Sequence, residues 1–225
     1  MDRTLRPALL AEAVGTFIFF TVGAGAVVIT TYTAGSAGLL GVALAHGIAL
    51  AVLVSAFGAV SGGHFNPAVT VAVWVAGKIS AGRAAWYIVA QAAGALGAAL
   101  LLRGIFSEAV WQPTHLGTPT LGPDVSQAMG IVIELVATLL LVFAVLGTAV
   151  DPRGPRIGGL AIGLAITADI LFAGPLTGAA MNPARWFGPA IVSGFTNDWY
   201  VWIVGPFGAA IIAGLLWRYV FAERT

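Results

Sequence analysis

Apolar residues run along this chain in long blocks instead of alternating with polar ones. Six blocks reach the roughly 20 residues that a helix needs to cross a bilayer; they lie at about 8–30, 39–60, 84–103, 126–150, 157–174 and 199–221. Two more blocks, about 66–77 and 182–193, hold only about 12 residues. As helix each would reach about 18 Å, short of the ~30 Å hydrocarbon thickness. Both short blocks open on the same tripeptide, Asn66-Pro67-Ala68 and Asn182-Pro183-Ala184. Asn is a strong N-cap and Pro suits the first helical position. The pattern therefore predicts two half-length helices that begin inside the membrane, where irregular backbone must face protein or a water-filled cavity. The expected fold class is an all-α membrane protein with six transmembrane helices and two re-entrant half-helices.

The two halves of the chain resemble each other. Ala11-Glu12-Ala13-Val14-Gly15-Thr16 parallels Ile133-Glu134-Leu135-Val136-Ala137-Thr138, and the Gly-rich approach to Asn66 parallels that to Asn182. Three spans per half is an odd number, so the second copy must enter the membrane upside down. The expectation is one channel domain over 1–225 made of inverted repeats at about 8–104 and 126–221. Such repeats with matched short segments point to a site at the midplane.

Composition narrows the class. Of 225 residues 59% are hydrophobic and 8% charged, against about a quarter charged in soluble domains. A net charge of +1 without a basic run carries no nucleic-acid signal, and the absence of cysteine removes disulfides and thiolate sites. Three scattered histidines supply neither a metal cluster nor a catalytic set, so no enzyme, cofactor or metal is expected. Arg3, Arg6, Lys78, Arg83, Arg153, Arg156, Arg218 and Arg224 fall on one side of the six-span threading and Arg103 on the other, which predicts cytoplasmic termini. Glu12 interrupts the first apolar run, which reads as a span and not as a removed signal segment.

Two Asn-Pro-Ala motifs in opposed halves, with Arg185 after the second, resemble the aquaporin (major intrinsic protein) family over about residues 8–221. The resemblance implies a passive channel for water and small neutral solutes, a homotetramer, and four filter positions. These are His46, twenty residues before Asn66; Ile170, twelve before Asn182; Ala179, three before it; and Arg185, three after it. This set, with Pro113-Thr114-His115 in a loop, is similar to tonoplast-type aquaporins, where the loop histidine joins the filter and ammonia or urea passes with water. His115 is the expected fifth member. Residue chemistry adds detail: each Asn can cap with its oxygen and leave its amide N–H groups for a pore molecule, and an intramembrane Arg is functional by default.

Plainer readings stand beside these. The Asn pair could be simple caps, Arg185 an external snorkelling residue, His46 a bonded core residue and His115 a solvated one. His64 is expected to anchor the first re-entrant loop more than to touch solute. Glu12 and Glu134, by resemblance, hold the loop backbones, with proton relay as the rival. Asp169 is either a buried hydrogen-bonding group or a bias on the filter, pairing there with a histidine. Gly94, Gly97, Gly208 and Gly214 are expected at helix contacts. Trp74, Trp86, Trp199, Trp202 and Trp217 are expected mostly at the interface or facing lipid. A glycerol or polyol facilitator is the alternative function, disfavoured because Trp186 and Ala190 stand where that branch has an acid and a base; a coupled secondary transporter comes after it. The Ala/Gly-rich, short-tailed chain suggests a prokaryotic cell membrane.

Overall fold

The structure, a computed structural model, describes residues 4–36 and 38–222. Arg3 and Arg224 lie outside the described residues. Among those described, six helices are long and apolar enough to span a membrane. They are α1 (Leu5–Tyr32), α2 (Gly38–Ser61), α4 (Ala81–Ile105), α6 (Gln127–Val145), α7 (Gly158–Thr177) and α9 (Val201–Leu216). α6 and α9 run on into π-helical turns, Leu146–Val150 and Trp217–Phe221. Between the spans lie the half-helices α3 (Pro67–Val75) and α8 (Pro183–Ser193), and a single outer turn, α5 (Glu108–Trp111). The chain is a multi-pass membrane protein, and Leu10, Ile48, Val52 and Leu164 on the outer faces of the spans are exposed for lipid to cover.

Contacts repeat between the halves. α1 packs on α2 and α4, and α6 packs on α7 and α9; α8 then rests against α4, and α3 against α9. Each half-helix is thus carried by the other half of the chain. The most extensive seam joins α2 to α7. It depends on small residues: a Cβ on Gly163 would lie 2.3 Å from the Gly47 carbonyl oxygen. At the α1–α4 seam a Cβ on Gly94 would lie 2.3 Å from the Ala13 carbonyl oxygen, and at the α3–α9 seam a Cβ on Gly214 would meet Val75 at 2.8 Å. Gly208 departs from its expected role, since its Cβ would meet Leu135 at an ordinary 3.5 Å. Gly97 is intermediate, at 3.3 Å from Phe17.

Basic side chains gather at one end of the bundle. Arg83 donates to Thr4 Oγ1, Arg218 to the Val75 carbonyl and Arg153 to the Phe221 carbonyl, tying the ends of α4, α3 and α9 to their neighbours. Arg103, at the opposite end of α4, donates to the Val192 carbonyl at the end of α8.

Candidate functional site

The site starts from two short loops that the chain holds in an uncommon conformation. Gly62, Gly63 and Phe65 have φ of +95°, +65° and +47°; Gly178, Ala179 and Met181 have +76°, +46° and +50°. Left-handed backbone at Phe65, Ala179 and Met181 is unfavourable for residues with a Cβ. Two buried carboxylates offset that cost. Glu12 Oε1 accepts from Ser61 Oγ (2.6 Å) and the His64 N–H (2.9 Å); Oε2 accepts from the Phe65 N–H (2.7 Å) and Gln91 Nε2 (2.8 Å). Glu134 Oε1 accepts from Thr177 Oγ1 (2.6 Å) and the Ala180 N–H (2.9 Å), and Oε2 from the Met181 N–H (2.7 Å). Charge-assisted bonds of this kind are about twice as strong as neutral ones. Tyr87 Oη donates to the Ser61 carbonyl and Trp202 Nε1 to the Thr177 carbonyl, fixing the loop starts. Trp202 is therefore not an interface aromatic. It is buried and stacked on Trp186, because its indole N–H has a loop carbonyl to satisfy. Trp74, Trp86 and Trp199 are exposed.

Beyond each loop an asparagine caps a half-helix. Asn66 Oδ1 accepts from the Ala68 and Val69 N–H groups, and Asn182 Oδ1 from those of Ala184 and Arg185. The two amides also cross. Asn66 Nδ2 donates to the Met181 carbonyl (2.9 Å) and Asn182 Nδ2 to the Phe65 carbonyl (3.0 Å). One N–H of each amide is thus committed to the opposite loop and the second remains. Both asparagines line one narrow cavity, of about 20 Å³, together with His64, Ile166, Ala180 and Met181. That is about the room one water needs. The positive ends of α3 and α8 face each other across it.

On one side this cavity ends at His46, Ile170, Ala179 and Arg185. His46, Ile170 and Arg185 also line a second, wider cavity of about 330 Å³ with Gly117, Thr118 and Pro119. Three of the four residues, His46, Ile170 and Arg185, therefore stand between the wider cavity and the smaller one. Arg185 is buried in α8. Its Nη1 donates to the Gly117 carbonyl at 2.6 Å and its Nε to His46 Nε2 at 3.3 Å. Three of its five N–H groups make no bond among the described residues. His46 Nδ1 lies 2.8 Å from the Val42 carbonyl, so Nδ1 carries the proton and Nε2 accepts from Arg185. Both ring nitrogens of His46 are thus engaged, and the ring packs against Gly23, where a Cβ would lie 2.5 Å from Cδ2.

One sequence expectation needs correcting. His115 does not line either cavity. Its ring stacks on Phe195, centroids 3.9 Å apart and planes 8° from parallel, because His115 and Leu116 adopt left-handed φ of 48° and 56°. The loop reaches the site instead through the Gly117 backbone carbonyl, which residue type alone does not reveal. His64, expected as an anchor, both anchors and lines the narrow cavity. Asp169 is buried beside Ile170 with Oδ2 unpaired, and it bonds neither His46 nor His115 among the described residues.

A family model described as "Major intrinsic protein" matches residues 3–217. Aquaporin TIP4-4 of Zea mays is 42% identical to the chain over 96% of its length and 87% of the relative's. Probable aquaporin TIP3-2 of Arabidopsis thaliana is 43% identical, covering 95% and 83%, and the lens fiber major intrinsic protein of Gallus gallus is 42% identical, covering 97% and 82%. The X-ray structure of the aquaglyceroporin from Plasmodium falciparum superposes with a TM-score of 0.85 at 23% identity, covering 96% of this chain and 97% of that one. This last likeness concerns the fold alone.

Proposed function

The chain belongs to the major intrinsic protein family, a family of channels and not of enzymes, and from that membership we propose that it is a passive conduit for water that also passes ammonia, with urea a further candidate solute, while excluding protons and ions. The observation that carries this reading is the crossed amide pair. Asn66 and Asn182 each retain one N–H beside a cavity of about 20 Å³, room for about one water. A water there accepts from both amides, so its own hydrogens point away from the centre and the proton wire is interrupted.

His46, Ile170, Ala179 and Arg185 act as the filter. Ile170 and Ala179 give an apolar wall suited to ammonia, and Arg185 supplies the hydrogen bonds and the charge. At an effective dielectric of about 20, an arginine repels a cation some 4 Å away by about 4 kcal/mol, against about 1 kcal/mol in bulk water. Confinement is what makes Arg185 an effective barrier.

The matched contacts of the two halves support a single domain of inverted repeats, about 8–104 and 126–221. We further propose a homotetramer in a prokaryotic cell membrane with both termini cytoplasmic, the last from the basic end of the bundle.

Stopped-flow light scattering on proteoliposomes tests the filter, with water and ammonia measured on one preparation. The double substitution His46→Phe with Ile170→His should abolish ammonia flux and spare water flux. Ammonia flux that survives the swap overturns the filter assignment, and vesicles that shrink no faster than empty lipid overturn the channel reading.

A further inference from the structure

A polar cluster lies behind the first half-helix. It comprises Glu12, Gln91, Thr70 and His64, all buried. Its hydrogens can be assigned one after another. Glu12 receives four donors, two on each oxygen, which occupies its acceptor sites as a carboxylate. Gln91 must therefore turn its NH₂ toward Glu12, because the alternative places an amide oxygen 2.8 Å from a carboxylate oxygen. The second hydrogen of Gln91 Nε2 goes to Thr70 Oγ1, 2.9 Å away. Thr70 Oγ1 also lies 2.9 Å from the Asn66 carbonyl, which can only accept, so its own hydrogen points there. One contact remains at that hydroxyl, His64 Nδ1 at 3.1 Å. With its hydrogen spent, the hydroxyl can only accept, and the imidazole must donate.

We infer that His64 is held as the Nδ1–H tautomer by Thr70 and Gln91, and that its bare Nε2 is a hydrogen-bond acceptor for the molecule next to the paired amides. This rests on the reading of the narrow cavity as the permeation path, since His64 lines that cavity. Nε2 has no protein partner among the described residues. The two asparagine amides offer only donors to the path. An acceptor lining the same cavity takes the hydrogen that a centrally held water directs toward that side. Thr70 and Gln91 are thus positioning residues for an acceptor, acting through His64. The opposite tautomer would leave the Thr70–Asn66 oxygen pair without a proton between them and put a third donor into the path.

Solid-state NMR on ¹⁵N-histidine-labelled protein in liposomes reads this, with the His64 signals assigned by their loss in His64→Ala, because protonated and bare ring nitrogens resonate far apart. Wild type should show His64 Nδ1 protonated, Nε2 bare, and a cross-peak from Nε2 to mobile water. Thr70→Val should lose that single state and give mixed tautomers, and Thr70→Ser, which restores a hydroxyl, should recover it. A protonated Nε2 in wild type, a doubly protonated ring, or a bare Nε2 without the water cross-peak overturns the inference, whether or not the variants fold. Water flux on the same liposomes separates the two claims: normal flux with a protonated Nε2 refutes only the tautomer, whereas absent flux refutes the channel reading.

Discussion

Replacing Glu134 by Gln changes one atom and should do measurable harm. The Glu134 carboxylate takes three donors: Thr177 Oγ1, the Ala180 N–H and the Met181 N–H. A glutamine offers one oxygen and one NH₂. With the oxygen in the Oε1 place, Thr177 and Ala180 are kept and the Met181 N–H faces a donor. Turned over, the amide can donate to Thr177, but the Ala180 N–H is orphaned. Either way one buried backbone N–H loses its partner, at about 1–3 kcal/mol. The two surviving bonds lose charge assistance, at roughly 1 kcal/mol each. A neutral amide is cheaper to bury than a carboxylate, which offsets part of the sum. The net loss should be at least about 2 kcal/mol, near thirtyfold in the folding equilibrium. Function should follow, since the Met181 carbonyl accepts from Asn66 Nδ2 and a shifted loop uncrosses the amides. The assay is reversible unfolding in mixed micelles, paired with water flux in proteoliposomes, with lipid-facing Val136→Ala as control. Glu134→Gln protein within about 0.5 kcal/mol of wild type, and conducting normally, would refute the account of how the loop is held.

Other outcomes can be checked with the same preparations. Arg185→Val removes the filter charge, so cation leak in dye-loaded vesicles should rise, by up to the roughly 10³-fold that about 4 kcal/mol represents, while water flux persists. Gly163→Ala drives a Cβ to 2.3 Å from the Gly47 carbonyl oxygen and should cost about 1–3 kcal/mol, whereas Gly208→Ala, with nothing nearer than 3.5 Å, should be neutral in the same thermal scan. Trp202→Phe leaves the Thr177 carbonyl without its indole donor and should lower the unfolding midpoint and the ammonia and water fluxes together. In the loop after α6, the Arg153 side chain and N–H hold the Asp151 carboxyl down from 3.8 to about 2. A depressed carboxyl stabilises above its unfolded value, so the tie to the Phe221 carbonyl should be intact from about pH 4 upward and be lost only as pH falls toward 2. Hydrogen exchange of residues 151–157 that already accelerates between pH 7 and 5 would contradict this.

Much of the architecture could be read from the chain, because the bilayer imposes simple rules. Block length alone separates six spans from two half-helices, since a segment of about 12 residues cannot cross ~30 Å of hydrocarbon. The Asn-Pro pairs mark helix starts at depth because capping chemistry is local. Glu12 and Glu134 stood out because a carboxylate within a span must be satisfied. What pattern could not supply were contacts between distant residues. His115 looked like a filter residue from its loop motif, but left-handed backbone at 115 and 116 turns its ring onto Phe195 and brings the Gly117 carbonyl to Arg185 instead. Trp202 looked like an interface aromatic until its indole met a loop carbonyl from the other side of α8. The sequence by itself determined how many times the chain crosses the membrane, where its two interrupted helices begin and which polar groups lie at depth, because those follow from length and local chemistry. Only the tertiary structure decided which partner each asparagine amide takes and which nitrogen of His46 faces Arg185, because those hydrogen bonds join residues more than a hundred positions apart.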